Sequence, residues 1–221
     1  MYENTAFPQT SPLIDSDLAA QLTPLLEKIT TPLTLLAVVD KDSDTDRELA
    51  GFLNHFVSLS ANLSCEFYAP GENLPLEQHI DCSFLPAVTV KRESSLQNVF
   101  FHGIPGGKEI NAFVLSLYNC GGPGQKLSPF LKKKIEKLDK EFSMTVCVSL
   151  SCHHCANLVA ACQYMALLNP HIKARAIDAR LYSDFVAKEK IERVPLLIIN
   201  GGTRILGDKS MEEVYSILKD L

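Results

Sequence analysis

Residues 149–155 read Ser-Leu-Ser-Cys-His-His-Cys and join the predicted strand Thr145–Leu150 to the predicted helix Leu158–Leu168. A cysteine at the start of a helix lies near backbone N–H groups without helical partners and near the positive end of the helix dipole. Both stabilise a thiolate, so the pKa of Cys152 is expected to lie below that of a free thiol. Cys155, one turn further on, is within disulfide reach and more enclosed. The spacing therefore predicts Cys152 as the attacking nucleophile and Cys155 as the resolving thiol.

The two intervening histidines, His153 and His154, add hydrogen-bond donors and, when protonated, positive charge that also favours a thiolate. A metal site is an alternative, because Cys-x-x-Cys supplies two zinc ligands. A structural zinc site needs four ligands, and the chain has no second Cys-x-x-Cys and no His-x-x-x-His. A structural disulfide or a pair of inert thiols is a further alternative. We favour a redox-active dithiol and expect no metal.

The composition of the whole chain sets the class of protein. Of 221 residues, 46% are hydrophobic and 21% charged, which is typical of a globular protein. The net charge of −5 lacks the basic surplus of nucleic-acid binders, and no apolar run reaches the ~18 residues of a membrane span. The seven cysteines, an odd number, follow no secretory signal, so we expect a reducing, cytoplasmic location with five bystander thiols. Residues 1–12 show no apolar period and are predicted to form a flexible tail.

The elements on either side of the Cys-x-x-Cys motif alternate between strands and helices. The strand Ile172–Asp178 and the helix Tyr182–Lys190 follow the motif, and a hairpin turns at Asn200-Gly201-Gly202 before a last helix. Val194-Pro195 opens the first hairpin strand, where a proline is tolerated because no ladder donor is needed. A trans strand-initiating proline is the ordinary interpretation. In β-α-β-α order after a Cys-x-x-Cys, we predict a cis bond at Pro195, facing the substrate together with Val194.

The first half of the chain repeats this order. The strand Leu33–Val39, a helix after the acidic loop Asp40–Asp46 and the strand Leu63–Tyr68 come first; residues 72–82 are predicted to be irregular. Strands at Ala87–Val90 and Val99–Phe101 then flank a predicted turn over residues 92–98. In each half a proline opens the apolar strand of a hairpin and a helix closes the unit. We therefore predict an α/β protein of two tandem units, 13–120 and 125–221, separated by Gly121-Gly122-Pro123-Gly124.

These patterns are similar to the thioredoxin fold, and more specifically they resemble the N-terminal region of the flavoprotein component (F) of alkyl hydroperoxide reductase. The resemblance rests on residues 149–155, 168–173, 176–178, Val194-Pro195 and Asn200-Gly201. It covers the chain from about Leu18 onward and is more specific in the second half. It implies two tandem thioredoxin-like folds with a central mixed sheet flanked by helices. Only the second fold keeps a Cys-x-x-Cys, so the first is expected to be redox-silent.

The resemblance also implies a function in electron relay. In that family, electrons pass from NADH through FAD to the N-terminal Cys-x-x-Cys, which reduces the disulfide of the peroxiredoxin component (C) of alkyl hydroperoxide reductase. This chain ends at Leu221 and contains no G-x-G-x-x-G. We therefore expect no FAD or NAD site in it, and a flavoprotein disulfide reductase, in cis or in trans, as the electron donor. A general protein disulfide reductase or isomerase and a non-catalytic redox-sensing module are the alternatives.

One residue of the first half receives a role from the resemblance. In the family, a glutamate of the first fold lies near the redox pair and influences its chemistry, and Glu109 stands at the matching position. The ordinary interpretation is an exposed glutamate in the first turn of a helix, stabilised by the helix dipole. Departures from the family also stand beside the motif: Ala156 replaces the usual proline, and His154 stands where asparagine is common.

Overall fold

The computed structural model describes residues 1–221 and contains eight strands, eight α-helices and two short 3-10 turns. The strands are β1 Leu33–Val38, β2 Leu63–Tyr68, β3 Ala87–Arg92, β4 Ser95–His102, β5 Phe142–Val148, β6 Ile172–Asp178, β7 Leu196–Ile199 and β8 Thr203–Leu206. The helices are α1 Ser16–Leu26, α2 Asp44–Ser58, α3 Leu74–Ile80, α4 Ile110–Gly121, α5 Pro129–Glu136, α6 Cys155–Leu168, α7 Ser183–Lys188 and α8 Met211–Asp220.

All eight strands form one mixed sheet in the order β2-β1-β3-β4-β6-β5-β7-β8. Within the first half, β1 is parallel to β2 and antiparallel to β3, which pairs antiparallel with β4. The second half repeats this scheme with β5, β6, β7 and β8. The parallel pair β4–β6 joins the two halves, and its register sets His102 opposite Ile177. The predicted central mixed sheet flanked by helices is confirmed, whereas the domain boundaries at 13–120 and 125–221 stay a prediction.

A single large core fills the space between the sheet and the central helices, and it draws residues from both halves. The aromatic side chains of Phe52, Phe56 and Phe101 surround Phe113 of α4, with ring centroids 5.0–6.1 Å from it. Helix α4 of the first half packs against α6 of the second. The two halves therefore share apolar burial, the dominant stabilising term in folding. No helix in the chain is both long enough and apolar enough to cross a bilayer.

The predicted flexible tail over residues 1–12 is wrong. Phe7 is buried among core residues, and the N–H of Tyr2 donates to the carbonyl of Phe67 at 2.8 Å. The buried side chain of Asn54 donates to the carbonyls of Asn4 and Pro8, at 3.2 and 3.0 Å. The segment is held by single apolar anchors and long-range hydrogen bonds, neither of which produces a periodic pattern in the sequence.

Two further local predictions need correction. Residues 72–82, predicted to be irregular, contain α3, whose N-cap Asn73 accepts the N–H of Leu76 at 3.2 Å. Two turns are too short to show a helical period, although Leu76 and Ile80 share one buried face. The hairpin predicted to turn over residues 92–98 is tighter, because β3 extends to Arg92 and β4 begins at Ser95. Arg92 and Ser95 are paired strand residues, and only Glu93 and Ser94 form the turn.

Candidate thiol–disulfide site

Cys152 and Cys155 form a disulfide at the amino end of α6, with their Cα atoms 5.6 Å apart. Cys155 is the first residue of the helix and is fully buried, whereas Cys152 precedes the helix and is half-buried. The expected difference in enclosure between the two thiols is present. Cys152 is thus the more accessible residue of the pair, and Cys155 is shielded from direct contact with large molecules.

The backbone around the motif leaves the start of α6 without a side-chain cap. The N–H of Cys152 donates to the carbonyl of Ser149 at 2.8 Å, which forms a tight turn after β5. His154 occupies the N-cap position in a helical conformation and makes no capping hydrogen bond. The first-turn N–H groups of α6 are thus not neutralised by a side chain, which favours negative charge on the sulfur that precedes them.

The charged neighbours of Cys152 include one that the sequence did not suggest. The side chains of His153 and His154 are exposed and make no hydrogen bond. Arg180, to which no sequence motif pointed, donates to the hydroxyl of Ser151 at 3.2 Å. A guanidinium is charged at every physiological pH, so Arg180 places a permanent cation beside the residue that precedes Cys152. The sequence could have indicated Arg180 only through its position just after β6, the strand that pairs with β5.

The Val194–Pro195 peptide bond is cis, as the sequence predicted. The register that pairs Cys147 with Leu196 sets Pro195 beside the carboxyl end of β5, where the chain leaves towards the cysteines. The Pro195 carbonyl accepts the N–H of Gly207 at 2.9 Å, while Val194 makes no backbone hydrogen bond. Leu85–Pro86 in the first half is also cis, which was not predicted from the sequence. The substrate-facing role of Pro195 and Val194 stays a prediction.

Glu109 is buried, with 1% of its surface exposed, so the interpretation as an exposed helix-start glutamate is wrong. The turn that carries it is fixed to the redox motif, because the N–H of Lys108 donates to the carbonyl of Leu150 at 2.9 Å. Neither carboxyl oxygen of Glu109 has a hydrogen-bond partner. Burial, with a smaller contribution from the charge of Asp178, raises its pKa to about 8. The carboxyl is therefore largely protonated at neutral pH.

A small cavity of about 10 Å³, room for one water molecule, lies behind the motif. Its polar lining comes from Glu109, His102 and Asp178, and its apolar lining includes Val148 and Leu150. His102 is buried, and burial lowers its pKa to about 4. No sequence pattern gave His102 a role, because its hydrogen-bond partner, the carbonyl of Phe84, lies 18 residues away in the chain.

The other five cysteines are not disulfide-bonded. Four are buried and Cys82 is half-buried. Burial raises the pKa of Cys120 to about 11 and that of each other one to about 12; these are Cys65, Cys82, Cys147 and Cys162. These thiols stay protonated at neutral pH and are poor nucleophiles, in agreement with the expected bystanders. No group of three or more His, Cys, Asp or Glu side chains is arranged to hold a metal ion.

Comparison with known proteins places the second half of the chain in a described family. A model of the thioredoxin domain matches residues 142–219. The F component of alkyl hydroperoxide reductase from Pseudomonas putida is 33% identical over 91% of this chain. The match covers 36% of that relative and 37–38% of five further curated relatives. The chain thus spans just over a third of their length.

Solved structures extend the likeness to nearly the whole chain. The NTD_N/C domain of alkylhydroperoxide reductase AhpF from Enterococcus faecalis is 34% identical with a TM-score of 0.88, covering 92% of this chain and 99% of that one. A protein disulfide oxidoreductase from Aeropyrum pernix, 20% identical with a TM-score of 0.82, shares the fold over 93% of this chain and 92% of its own. Together with the paired sheet halves and the Cys152–Cys155 disulfide, these matches show that the chain belongs to the family of the N-terminal region of AhpF, the F component of alkyl hydroperoxide reductase.

Proposed function

We propose that this chain is a thiol–disulfide oxidoreductase that passes electrons from a flavoprotein disulfide reductase to the disulfide of a peroxiredoxin. The observation that carries the proposal is the asymmetry of the cysteine pair: Cys152 is half-exposed before an uncapped helix, and Cys155 is fully buried within its first turn. The family membership supports the choice of partners.

In the proposed reaction the reduced chain attacks the partner disulfide. The Cys152 thiolate forms a mixed disulfide with one partner sulfur and displaces the other as a thiolate. Cys155, after losing its proton, attacks the Cys152 sulfur, closes the intramolecular disulfide and releases the second partner thiolate. Two electrons leave the dithiol and enter the partner. The proton that Cys152 released on forming its thiolate and the proton that Cys155 gives up balance the two thiols that the partner gains.

The proposed docking of the partner uses the backbone of Val194. Its N–H and carbonyl make no backbone hydrogen bond within the chain, and the residue lies beside the carboxyl end of β5. An extended peptide from the partner can satisfy both groups as an added strand would. Such pairing presents the partner disulfide to Cys152 while Pro195, whose carbonyl is held by Gly207, fixes the backbone geometry.

Glu109 is proposed to exchange a proton with the enclosed thiol: its acid form, the resting state at neutral pH, gives a proton to Cys155 when the disulfide is reduced, and the resulting carboxylate takes that proton back. Cys155 is shielded from solvent and must lose its proton before it attacks the mixed disulfide. A buried carboxyl with a pKa near 8 exchanges a proton readily at neutral pH, and its turn is bonded to Leu150 next to the motif. Glu109 is thus proposed as a positioning residue that tunes the dithiol from the first half.

The proposed electron donor is a flavoprotein disulfide reductase, either a further part of the same polypeptide or a separate protein. In this proposal the chain itself binds neither FAD nor NAD, and its redox group is the disulfide. Five unpaired thiols are compatible with a protein that functions in a reducing compartment, which we propose to be the cytoplasm.

Trapping of the mixed disulfide tests the proposal directly. The Cys155→Ser variant, fully reduced, is mixed with an oxidised peroxiredoxin, and the products are separated without reductant. We expect a covalent adduct through Cys152, identified by peptide mass spectrometry. The matched control Cys152→Ser retains the buried Cys155 and should give none. Absence of the adduct in the first mixture would reject the relay.

The alternative functions give other outcomes in the same assay. Equal adduct yields with oxidised insulin and with the peroxiredoxin would indicate a general disulfide reductase or isomerase. No adduct with either, together with reversible oxidation of Cys152 and Cys155, would indicate a redox-sensing module. A midpoint potential near thioredoxin's ~−270 mV is expected for a reductant, whereas ~−120 mV is that of a strong oxidant.

A further inference from the structure

The segment that follows β6 runs beside the redox motif. The strands β5 and β6 are parallel, and their register sets Val148 opposite Asp178 at their carboxyl ends. Beyond this pair the N–H of Ala179 donates to the carbonyl of Val148 at 2.9 Å. The pairing thus continues past the end of β6 and brings Arg180 alongside the residues that lead to Cys152.

Arg180 is fixed through both its backbone and its side chain. Its N–H donates to a carboxyl oxygen of Asp178 at 3.0 Å, and a guanidinium nitrogen donates to the hydroxyl of Ser151 at 3.2 Å. The Ser151 hydroxyl lies 3.2 Å from that of Ser149, whose carbonyl accepts the N–H of Cys152 at 2.8 Å. These contacts link the guanidinium to the turn that ends at the nucleophile.

The charge of Arg180 is not taken up by an ion pair. Arg175 contacts the carboxylate of Asp81. Arg204 contacts that of Glu189, whereas Arg180 forms no ion pair and donates to a hydroxyl instead. A guanidinium stays protonated over the whole range in which thiols titrate, so this charge can act on a neighbouring sulfur at every pH of interest.

We propose that Arg180 is a positioning residue for the nucleophile: it holds the turn before α6 through the Ser151 hydroxyl and supplies a fixed positive charge that stabilises the Cys152 thiolate. The guanidinium and the uncapped amino end of α6 then act on the same sulfur, one as a full charge and the other as a partial charge. The inference rests on the proposed function in one respect, since it takes Cys152 as the nucleophile. It does not depend on the identity of the electron donor or acceptor.

Three carboxyl groups lie on the elements packed around the motif. Burial raises the pKa of Asp178, and the charge of Arg180 partly opposes that rise. Burial also raises the pKa of Glu109 to about 8, so this group is largely uncharged at neutral pH. Asp208, beyond β8, accepts the amide N–H of Asn157 at 3.1 Å. None of the three forms an ion pair with Arg180, whose charge is therefore offset only in part.

The other cations beside the motif differ from Arg180. His153 and His154 carry a positive charge only when protonated, and their side chains make no hydrogen bond. Lys108 and Arg193, on the neighbouring loops, are exposed and form no side-chain hydrogen bond. Arg180 is thus the cation that is both permanent and bonded to the motif through its side chain.

The pH dependence of Cys152 alkylation in the full, reduced chain tests the proposal. The rate with iodoacetamide follows the fraction of thiolate, and peptide mass spectrometry identifies the thiol that reacts. Arg180→Gln removes the charge, whereas Arg180→Lys keeps it. The matched control Arg47→Gln removes an exposed arginine from the first turn of α2, the corresponding helix of the first half.

We expect the acid dissociation constant of the Cys152 thiol to fall about threefold in Arg180→Gln, the size of a screened interaction between exposed charges. Arg180→Lys should keep most of the wild-type value, and Arg47→Gln all of it. An unchanged constant in Arg180→Gln, or an equal fall in Arg180→Lys, would overturn the proposal, because the fixed charge would then have no effect on the sulfur. An equal fall in Arg47→Gln would overturn it as well, since only the net charge of the chain would matter.

A second measurement uses the charge of the alkylating reagent. Iodoacetate is an anion and iodoacetamide is neutral, so a positive charge beside the sulfur raises the ratio of their rates, and salt screens this effect. We expect the ratio in the wild-type chain to fall as salt is added, and to fall less in Arg180→Gln. A wild-type ratio that does not change with salt, or an equal fall in both proteins, would overturn the proposal.

The two measurements also separate this inference from the proposed relay. Neither uses a peroxiredoxin, so a failed Cys152 adduct rejects the relay and leaves the alkylation results standing. Faster alkylation of any other cysteine would overturn both, because Cys152 would then not be the nucleophile.

Discussion

The two halves of the chain share one strand order, but the helices that follow their first strands, α2 and α6, differ at their amino ends. In the second half, β5 leads to Cys152 and an uncapped α6. In the first half, β1 leads to α2, where the N-cap Ser43 accepts the N–H of Asp46 at 3.4 Å. The carboxylate of Asp46 in turn accepts the hydroxyl of Ser43 and the N–H of Asp40. The positive helix end that could stabilise a thiolate is neutralised in one half and left for sulfur in the other.

The scaffolding around these helix ends is the same in both halves. Each half has a cis proline opening its third strand, at Pro86 and Pro195. Each of these carbonyls accepts an N–H from a glycine just beyond the fourth strand, Gly103 at 2.8 Å and Gly207 at 2.9 Å. The difference between the half with the Cys-x-x-Cys motif and the half without it therefore lies in a few side chains at one helix terminus and not in the fold.

The largest expected effect comes from removing the half-exposed cysteine at the start of α6. Cys152→Ser should abolish disulfide exchange, because the only half-exposed sulfur of the motif is lost. Ser43→Ala, at the corresponding terminus of the first half, should leave the exchange rate unchanged. The rate is measured by insulin reduction with dithiothreitol as the electron source. Substantial exchange in Cys152→Ser would show that one of the buried thiols is the nucleophile.

The next effect concerns the shared core. Phe113→Ala should lower the free energy of unfolding by about 3–5 kcal/mol, the usual cost of removing a fully buried aromatic side chain. Because α4 packs on α6, both halves should lose stability in one transition. Denaturation is followed by circular dichroism and, in the second half, by thiol labelling of the buried Cys162. Leu206→Ala, at an exposed residue, is the control and should change stability by less than about 0.5 kcal/mol.

Separate unfolding transitions in circular dichroism and in Cys162 labelling would lead to a different conclusion about the two halves. They would show that the halves fold as independent units, as the tandem arrangement at 13–120 and 125–221 predicts in its strictest form. A single transition would show that one continuous sheet and core make the silent half a structural support for the active one.

A smaller effect is the pH dependence that Glu109 imposes. Its pKa is raised from 4.5 to about 8 in the folded chain, so the folded state binds more protons than the unfolded state between these values. The stability that Glu109 contributes is therefore fully present below pH 4.5 and decreases as the pH rises through this window. The decrease is up to about 1.4 kcal/mol per pH unit. Glu109→Gln should remove this slope, as measured by urea denaturation at several pH values.

Between pH 6.5 and about 8 the contribution of Glu109 to stability can be measured without that of His102. His102 has the opposite sign, because its pKa is lowered from 6.5 to about 4, and the stability it contributes is lost as the pH falls through that range. Between pH 6.5 and about 8 only Glu109 of this pair changes its charge. Parallel stability curves for the wild type and Glu109→Gln in this interval would contradict burial of an ionisable carboxyl.

Much of this architecture is predictable from the sequence because its signals are local. The motif at Cys152, the apolar run of β1 and the alternation of β6 each lie within one element, and their periods indicate strand or helix directly. Residues 172–178 were predicted with the correct ends, since Asn169-Pro170 and the alternating pattern bound them on both sides.

What the sequence could not show depends on pairing between distant residues. The register of β4 on β6, which sets His102 opposite Ile177 and joins the two halves, is encoded by no local pattern. Arg180 lies near Cys152 through Ser151, across the β5–β6 pair. Burial of Glu109 also follows from the junction of the halves, whereas its place at a helix start predicts exposure.

The smallest expected effect concerns the N-cap residues of α2 and α6, Ser43 and His154, of which only Ser43 makes a capping hydrogen bond. Ser43→Ala removes a side-chain cap and should cost about 1 kcal/mol of stability. His154→Ala, at the N-cap of α6, removes no capping hydrogen bond and should stay within about 0.5 kcal/mol of the wild type. Both values come from urea denaturation of the oxidised chain at the same pH. Equal costs would mean that His154 stabilises α6 as Ser43 stabilises α2, and the contrast between a neutralised and an open helix end would no longer explain why only one half carries a Cys-x-x-Cys pair.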